Sequence, residues 1–343
     1  MGTNQAFRVG VLGAGRIGKV HARTIARIPG FEVRAVADPA IDAAKTLAAE
    51  LRIPAATADA REVLADRDID AVLICSSTDT HADLIVEASR AGKHIFCEKP
   101  VDLTLAKVDR ALAAAREAGV TLQIGFNRRF DPDFARIRAL LADGTLGDPH
   151  LLHVTSRDPN PPSPAYAAVS GGMFLDMTIH DFDMARFVME CEVEEVYVAA
   201  AVLVDPAIGQ AGDVDTALIT LRFANGALGV IDNSRRACFG YDQRVEVLGS
   251  RGMAANRNHG PDTVVLSGPE RLEESLPLNF FMQRYTASFE AEIRAFAHAV
   301  ATGTTPPVGG EDGRQALRLG LAAKRSWQEQ RPVRMDEIAG GAA

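Results

Sequence analysis

Hydrophobic and polar positions divide the chain into two patterns. Up to residue 124, short apolar runs alternate with stretches of helical spacing. FRVGVL is followed by GKVHARTIARI, EVRAVAD by AAKTLAAEL, AVLICSS by HADLIVEASRAG and HIFCEKP by VDLTLAKVDRALAAAREAG; VTLQIGF closes the series. Short apolar runs with β-branched residues read as buried strands, and apolar residues every three or four positions read as helices. Gly92 ends one of those helices as a C-cap residue, and a second glycine ends the next. Five strands interleaved with helices predict an α/β domain over 1–124, a doubly wound parallel sheet covered on both faces.

From residue 125 the pattern changes. PDFARIRALLADG has helical spacing, LLHVTSR reads as a strand, and a Pro-rich loop leads into GGMFLDMTIHDFDMARF at 171–187. If that segment is a helix, Asp176 and His180 lie one turn apart and share a face with Asp183. Strands then follow one another: VEEVYVAAAVLV, two runs around Asn225-Gly226 that signal a hairpin, and RVEVLGSRGMAAN with a turn at Gly249 to Gly252. Helical spacing returns at FEAEIRAFAHAVATG and DGRQALRLGLAAKRSWQEQ. This predicts an α+β domain over 125–343, an open antiparallel sheet with helices.

Composition narrows the function. A chain of 343 residues exceeds one ordinary core, in keeping with two domains. A net charge of −8 argues against nucleic acid or an anionic membrane as partner. The N-terminus has no basic segment followed by a long apolar one, and no stretch approaches ~18 uninterrupted apolar residues. Cys75, Cys97, Cys191 and Cys238 are scattered and form no CxxC, which reads as reduced thiols in a cytoplasmic protein.

The first candidate chemistry lies in VGVLGAGRIGKVHA. Gly13, Gly15 and Gly18 form G-x-G-x-x-G directly after a strand and at the opening of a helix. The first glycine allows the tight turn, the second admits a pyrophosphate to the backbone, and the third lets helix and strand pack closely. Arg16 and Ile17, inside the motif, stand at the helix N-terminus that would face the phosphates. Asp38, 20 residues beyond Gly18 at the end of the second strand, can accept hydrogen bonds from ribose hydroxyls and would repel a 2′-phosphate. NAD is therefore expected rather than NADP. Ser76, Ser77 and Thr78 lie in the loop above the third strand, where cofactor binds, and His81 could line the same site or stand exposed on the first helical turn.

Lys99, in Glu98-Lys99-Pro100, lies just past the carboxyl end of a parallel strand, where an ammonium can hold a hydroxyl or a developing alkoxide. The carboxylate and imidazole of Asp176 and His180 are either a buried structural pair or an acid/base unit. With Asp183 they could also ligate a divalent ion, but no metal is expected. Asp183 is expected to bind a neighbouring arginine or a backbone amide instead.

Together, GAGRIGKVHA at 13–22, AVADP at 35–39, EKP at 98–100, GFNRRFDP at 125–132 and the 171–187 segment resemble the glucose–fructose oxidoreductase and inositol dehydrogenase family (Gfo/Idh/MocA) over nearly the whole chain. The resemblance implies a Rossmann NAD-binding domain, then a substrate-binding and oligomerisation domain whose sheet face forms subunit contacts in a homo-oligomer, a tetramer or a dimer. It implies a catalytic group of Lys99, Asp176 and His180, a cofactor site that includes Glu98 and Lys99, and a Lys99–Pro100 peptide that is cis. In its inositol dehydrogenase branch, an arginine of GF-x-RR reaches the polyol, which points to Arg128, with Asn127 adding a polar contact. Arg157, Asp158 and Tyr241 complete the implied substrate contacts. The activity implied is NAD-dependent oxidation of a hydroxyl of a cyclic polyol, myo-inositol foremost. A sugar dehydrogenase or keto-sugar reductase of the same family is the alternative. A non-catalytic NAD-binding sensor would not need the set Lys99, Asp176 and His180.

Overall fold

A computed structural model describes residues 6–338; the segment MGTNQ and the last residues of the second expected domain lie outside them. The described residues form two compact units. The first holds the described residues through Asn127 together with Thr286–Leu317, and the second holds Arg128–Tyr285 and the described residues from Arg318 onward.

The first unit is built on six parallel strands: β1 (Phe7–Leu12), β2 (Phe31–Ala37), β3 (Ala55–Thr57), β4 (Ala71–Ile74), β5 (His94–Glu98) and β6 (Leu122–Gly125). Their order is β3-β2-β1-β4-β5-β6. The order reverses between β1 and β4, the switch point at which open α/β sheets bind ligands beyond the strand ends. All five expected strands are present. The edge strand β3 and the short helix Ala60–Ala65 were not foreseen.

The sequence pattern assigns everything from residue 125 to the second domain, yet the helix Thr286–Thr302 groups with the first unit. Packing explains it. Ile293 and Phe296 are buried in one cluster with Val9, Val36 and Phe96. The Phe296 ring meets Phe7 and Phe96 edge-on, with centroids 6.1 and 6.0 Å apart.

The second unit carries a seven-stranded sheet of β7 (Pro149–Arg157), β8 (Val193–Ala201), β9 (Thr216–Phe223), β10 (Leu228–Ser234), β11 (Asp242–Gly249), β12 (Met253–Ala255) and β15 (Val333–Arg334), in the order β12-β11-β7-β10-β9-β8-β15. A separate hairpin pairs β13 (Val265–Ser267) with β14 (Leu272–Glu274). The hairpin at Asn225-Gly226 forms as expected, joining β9 to β10. The sheet is mixed rather than purely antiparallel, because β10 runs parallel to β7. The chain makes β8 and β9 before it returns to β7, so no short turn dictates the direction of that pair.

On β9 every second residue is buried, and the intervening Leu218 is 55% exposed. Leu151 and Leu228 are likewise exposed, so one face of the sheet is open and partly apolar. On the other face lies the helix Ile179–Met189, eight of whose residues are buried.

Candidate active site

In the first unit, the loop after β1 has the geometry of a dinucleotide cradle. Gly13 adopts a φ of 109°, and a Cβ there would lie 2.5 Å from the Cys75 carbonyl oxygen. A Cβ on Gly18 would lie 1.9 Å from the Gly13 oxygen, so the helix Arg16–Ile25 can close on the loop only with glycine there. At Gly15 a Cβ would meet nothing within 4 Å. That open space lies at the positive end of the helix, whose first turn holds no acidic residue, and it fits a pyrophosphate. Arg16 is exposed beside it and Ile17 is half-buried.

Asp38 is fixed by two backbone donors. The Ala14 N–H donates to Oδ2 at 2.7 Å and the Ala40 N–H to Oδ1 at 2.8 Å. The first bond ties the carboxylate to the glycine loop itself. A ribose then meets a held negative charge rather than a mobile side chain. These residues fit NAD.

The neighbouring loop is partly committed to structure. Ser77 is exposed, and Ser76 and Thr78 are half-buried. Ser76 and Thr80 share a hydroxyl hydrogen bond of 2.6 Å. His81 is 1% exposed, with Nδ1 2.8 Å from the Pro100 carbonyl and Nε2 3.1 Å from the Ser76 carbonyl. It joins two loops through the backbone and is not the exposed residue that its place on a first helical turn allowed. Glu98 is also internal. Its Oε1 lies 2.7 Å from His21 Nε2, and burial beside Glu98 pushes the Glu292 carboxyl well above the usual carboxylate range. His21 lies within GAGRIGKVHA but outside its G-x-G-x-x-G, and no motif contains Glu292. Lys99 follows β5 directly and is half-buried, and its peptide to Pro100 is cis.

In the second unit, the 171–187 segment is not one continuous α-helix. Met173–Met177 forms a π-helical turn, and the α-helix begins at Ile179. Single π turns inside helices are frequent at functional sites because they redirect side chains locally. The consequence is visible in the burial. From Gly172 to Ala185 every residue is buried except Asp176 and His180. The Tyr166 hydroxyl donates to Asp176 Oδ1 at 3.1 Å, and Arg235 Nη1 lies 3.6 Å from Oδ2.

The two acidic neighbours of His180 are spent on arginines. Asp183 takes a fork from Arg129, Nε to Oδ2 at 2.8 Å and Nη2 to Oδ1 at 2.6 Å, which is the arginine pairing expected for it. Asp181 takes Arg128 Nη1 at 2.5 Å. The Asn233 amide donates to Asp181 at 2.9 Å, and its oxygen accepts from the Thr178 hydroxyl at 2.6 Å. Asn233 thus pins the start of the helix to β10.

Three expected polyol contacts have other partners here. Arg128 is 5% exposed and is enclosed by Asp181, Ser156 and Tyr241. Tyr241 is 6% exposed, accepts from Arg128 at 3.4 Å and meets Tyr285 edge-on. Asn127 is buried as well. Arg157 likewise has partners within the sheet. Arg157 lies with Asp232 and Asp242 of the adjacent strands, 3.1 Å from Asp232 and 3.3 Å from Asp242.

Asp158 remains. It is half-buried, 3.7 Å from Arg235 Nη1. Burial pushes its carboxyl up to about 6; Arg235 and Arg128 pull it down, and Asp176 and Asp181 add to the rise. A carboxyl raised in the fold holds its proton where the unfolded chain has lost it, so stability falls as pH rises from the ordinary carboxylate range through about 6. Groups kept at such a cost cluster at functional sites. Among the described residues no group of three His, Cys, Asp or Glu side chains could hold a metal ion.

Comparison with known proteins agrees with this geometry. Residues 7–126 match the oxidoreductase family with an NAD-binding Rossmann fold, and residues 134–255 match the GFO/IDH/MocA C-terminal domain. The chain is 51% identical to an uncharacterized oxidoreductase, YrbE, of Bacillus subtilis, over 95% of this chain and 96% of that one. It is 50% identical to a myo-inositol 2-dehydrogenase of Thermotoga maritima, over 97% of this chain and all of the other. A crystal structure of a probable dehydrogenase from Thermotoga maritima superposes with a TM-score of 0.95 at 49% identity, covering 97% of this chain and all of that one.

Proposed function

The chain belongs to the Gfo/Idh/MocA oxidoreductase family and uses NAD, and on that premise we propose that it oxidises a ring hydroxyl of a cyclic polyol, myo-inositol, to the ketone. The observation that carries the reading is that Asp176 and His180 alone are only half-buried in an otherwise buried run. A structural pair would be buried with its neighbours. The named activity of the relative at 50% identity supports the choice of substrate.

Bound NAD supplies the hydride acceptor. His180 takes the hydroxyl proton as general base, since imidazole changes charge near neutral pH. Lys99 donates a hydrogen bond to the same oxygen and stabilises the negative charge that grows on it. Asp176 orients the imidazole and accepts from a neighbouring hydroxyl, and Asp158 accepts from another. The carbon loses a hydride, its oxygen loses a proton, and a C=O bond forms.

The test is a panel of inositol isomers and aldoses, each with NAD and NADP, followed by absorbance of the reduced cofactor. The expected result is highest kcat/KM with myo-inositol and NAD. Asp38→Ser combined with Pro39→Arg is expected to move preference toward NADP, by removing the carboxylate and adding a cation for the 2′-phosphate. Activity on aldoses but on no inositol, or equal use of NADP by the unaltered protein, overturns the assignment.

The open sheet face is proposed as the contact of a homo-oligomer, a tetramer. Its exposed Leu151, Leu218 and Leu228 form an apolar surface of the kind that proteins cover. Sedimentation at micromolar concentration is expected to give a tetramer, and a monomer would refute the contact. Among the described residues no helix is long and apolar enough to cross a membrane. The four cysteines are free thiols, which supports a cytoplasmic setting.

A further inference from the structure

Arg235 follows β10 by one residue and carries no motif. Its side chain is 3% exposed, and three carboxylates surround it. Nη1 lies 3.7 Å from Asp158 and 3.6 Å from Asp176, and Nη2 lies 4.0 Å from Asp213. These separations are ion-pair distances, beyond hydrogen-bond range. Nε and Nη2 have no hydrogen-bond partner among the described residues. A buried donor left unpaired costs stability, so an arginine kept only for stability would be better satisfied than this one.

The backbone around it is knit to the site. The Arg235 N–H donates to the Asp215 carbonyl at 2.8 Å, the Asp158 N–H to the Ser234 carbonyl at 2.9 Å, and the Ala237 N–H to the Asp158 carbonyl at 2.7 Å. The third carboxylate, Asp213, does a distinct job. Both its oxygens accept the Met173 N–H, at 2.9 and 3.0 Å, so it caps the π turn that contains Asp176. Gly172, at a φ of 77°, leaves room for it; a Cβ there would lie 2.6 Å from Asp213 Oδ1. One guanidinium therefore faces the cap of the turn, the half-buried carboxylate within the turn and the carboxylate just past the end of β7.

We propose that Arg235 is the positioning residue of this site, holding Asp176 in the π turn and Asp158 beside it against their mutual repulsion. The proposal rests on the reading of Asp176 as a catalytic residue. It has a chemical consequence at Asp158, which is faced by Arg235, Arg128, Asp176 and Asp181. Removing the nearer cation leaves two carboxylates beside it, so the Asp158 proton is held to higher pH.

A double-mutant cycle tests this on the full chain with NAD and myo-inositol. Asp176→Asn and Arg235→Gln are made singly and together, with kcat/KM measured from pH 5 to 9 and melting temperature on the same preparations. Arg235→Gln is expected to lose roughly 10–100-fold in kcat/KM, the scale of coupling between neighbouring groups. Its acid limb should move to higher pH, and Arg235→Lys should restore part of both. In the Asp176→Asn background, Arg235→Gln should cost little more. A purely structural arginine would lower the melting temperature and leave the pH profile in place. Should Arg235→Gln fail to fold, the cycle is run with Arg235→Lys, which keeps the charge. If Asp176→Asn keeps full turnover, the catalytic reading of Asp176 falls. If Asp176→Asn is impaired but the arginine variant costs as much in both backgrounds, with an unmoved acid limb, the positioning role falls while the catalytic reading stands.

Discussion

His180→Asn is expected to lower turnover by roughly 10²–10⁴-fold, the usual contribution of a positioned general base. That corresponds to about 3–5 kcal/mol of the barrier. Asparagine keeps the bulk and polarity of the side chain but cannot take a proton. NAD affinity should be unchanged, because the glycine loop and Asp38 belong to the other compact unit and are untouched. Lys99→Ala should also lose most turnover. Asp176→Asn should impair substrate binding and turnover together. The pH profile separates base from bystander. In the unaltered protein the rate rises with pH as the imidazole loses its proton, with the Asp158 step at about 6 beside it. His180→Asn should remove the first and keep the second. A packing role predicts the reverse pattern: a lower melting temperature and near-normal turnover per folded molecule. Measuring both on one preparation decides it.

The sequence carried the first unit almost whole because its signals are local. A buried parallel strand is a short apolar run, and its helix repeats every three or four residues, so each element declares itself. Ala55–Thr57 escaped because it is three residues long, lies on a sheet edge and is only partly buried. The glycine loop and Asp38 were legible for the same reason: their spacing is the geometry. The second unit was less legible, since its meaning lies in which strands become neighbours. That β10 pairs with β7 cannot be read from either strand, yet this pairing brings Arg235 beside Asp158. Arg235 sits in SRRA, a stretch with no spacing signal. Asp176 and His180 were found as a pair one turn apart, although a π turn, not an α-helix, sets the position of Asp176. The two arginines of GFNRR were harder. Nothing in the string tells that Arg128 meets Asp181 and Arg129 meets Asp183, so the residue chosen for the polyol is one that the fold encloses. Nor does the string tell that Arg157 meets Asp232 and Asp242 of the adjacent strands.

Asp181→Ala is expected to be the most destabilising single change in the second unit. The Arg128 guanidinium and the Asp181 carboxylate are both buried, at 6% and 0% side-chain exposure. Deleting the carboxylate leaves a buried cation without its counter-charge, and also strips Asn233 of an acceptor. Breaking such a pair costs about 3–5 kcal/mol, which lowers the melting temperature by roughly 10 °C in a domain of this size. Burial raises the Asp181 carboxyl while Arg128 and Asn233 hold it down, so desolvation and pairing oppose each other at this position. The pair can therefore be removed more safely than halved. Arg128→Met with Asp181→Leu should recover much of the lost stability, because an apolar pair of similar volume carries no desolvation cost. Turnover should not recover with it. Asp181 and Thr178 are both bound to Asn233 and bracket His180, so an apolar pair restores packing without restoring the hydrogen bonds that set the helix in register. If Arg128 instead serves the polyol directly, Asp181→Ala should leave the melting temperature within a degree or so and change KM alone. Thermal melting and a substrate titration on the single and double variants therefore distinguish a buried scaffold beneath the site from a ligand contact within it.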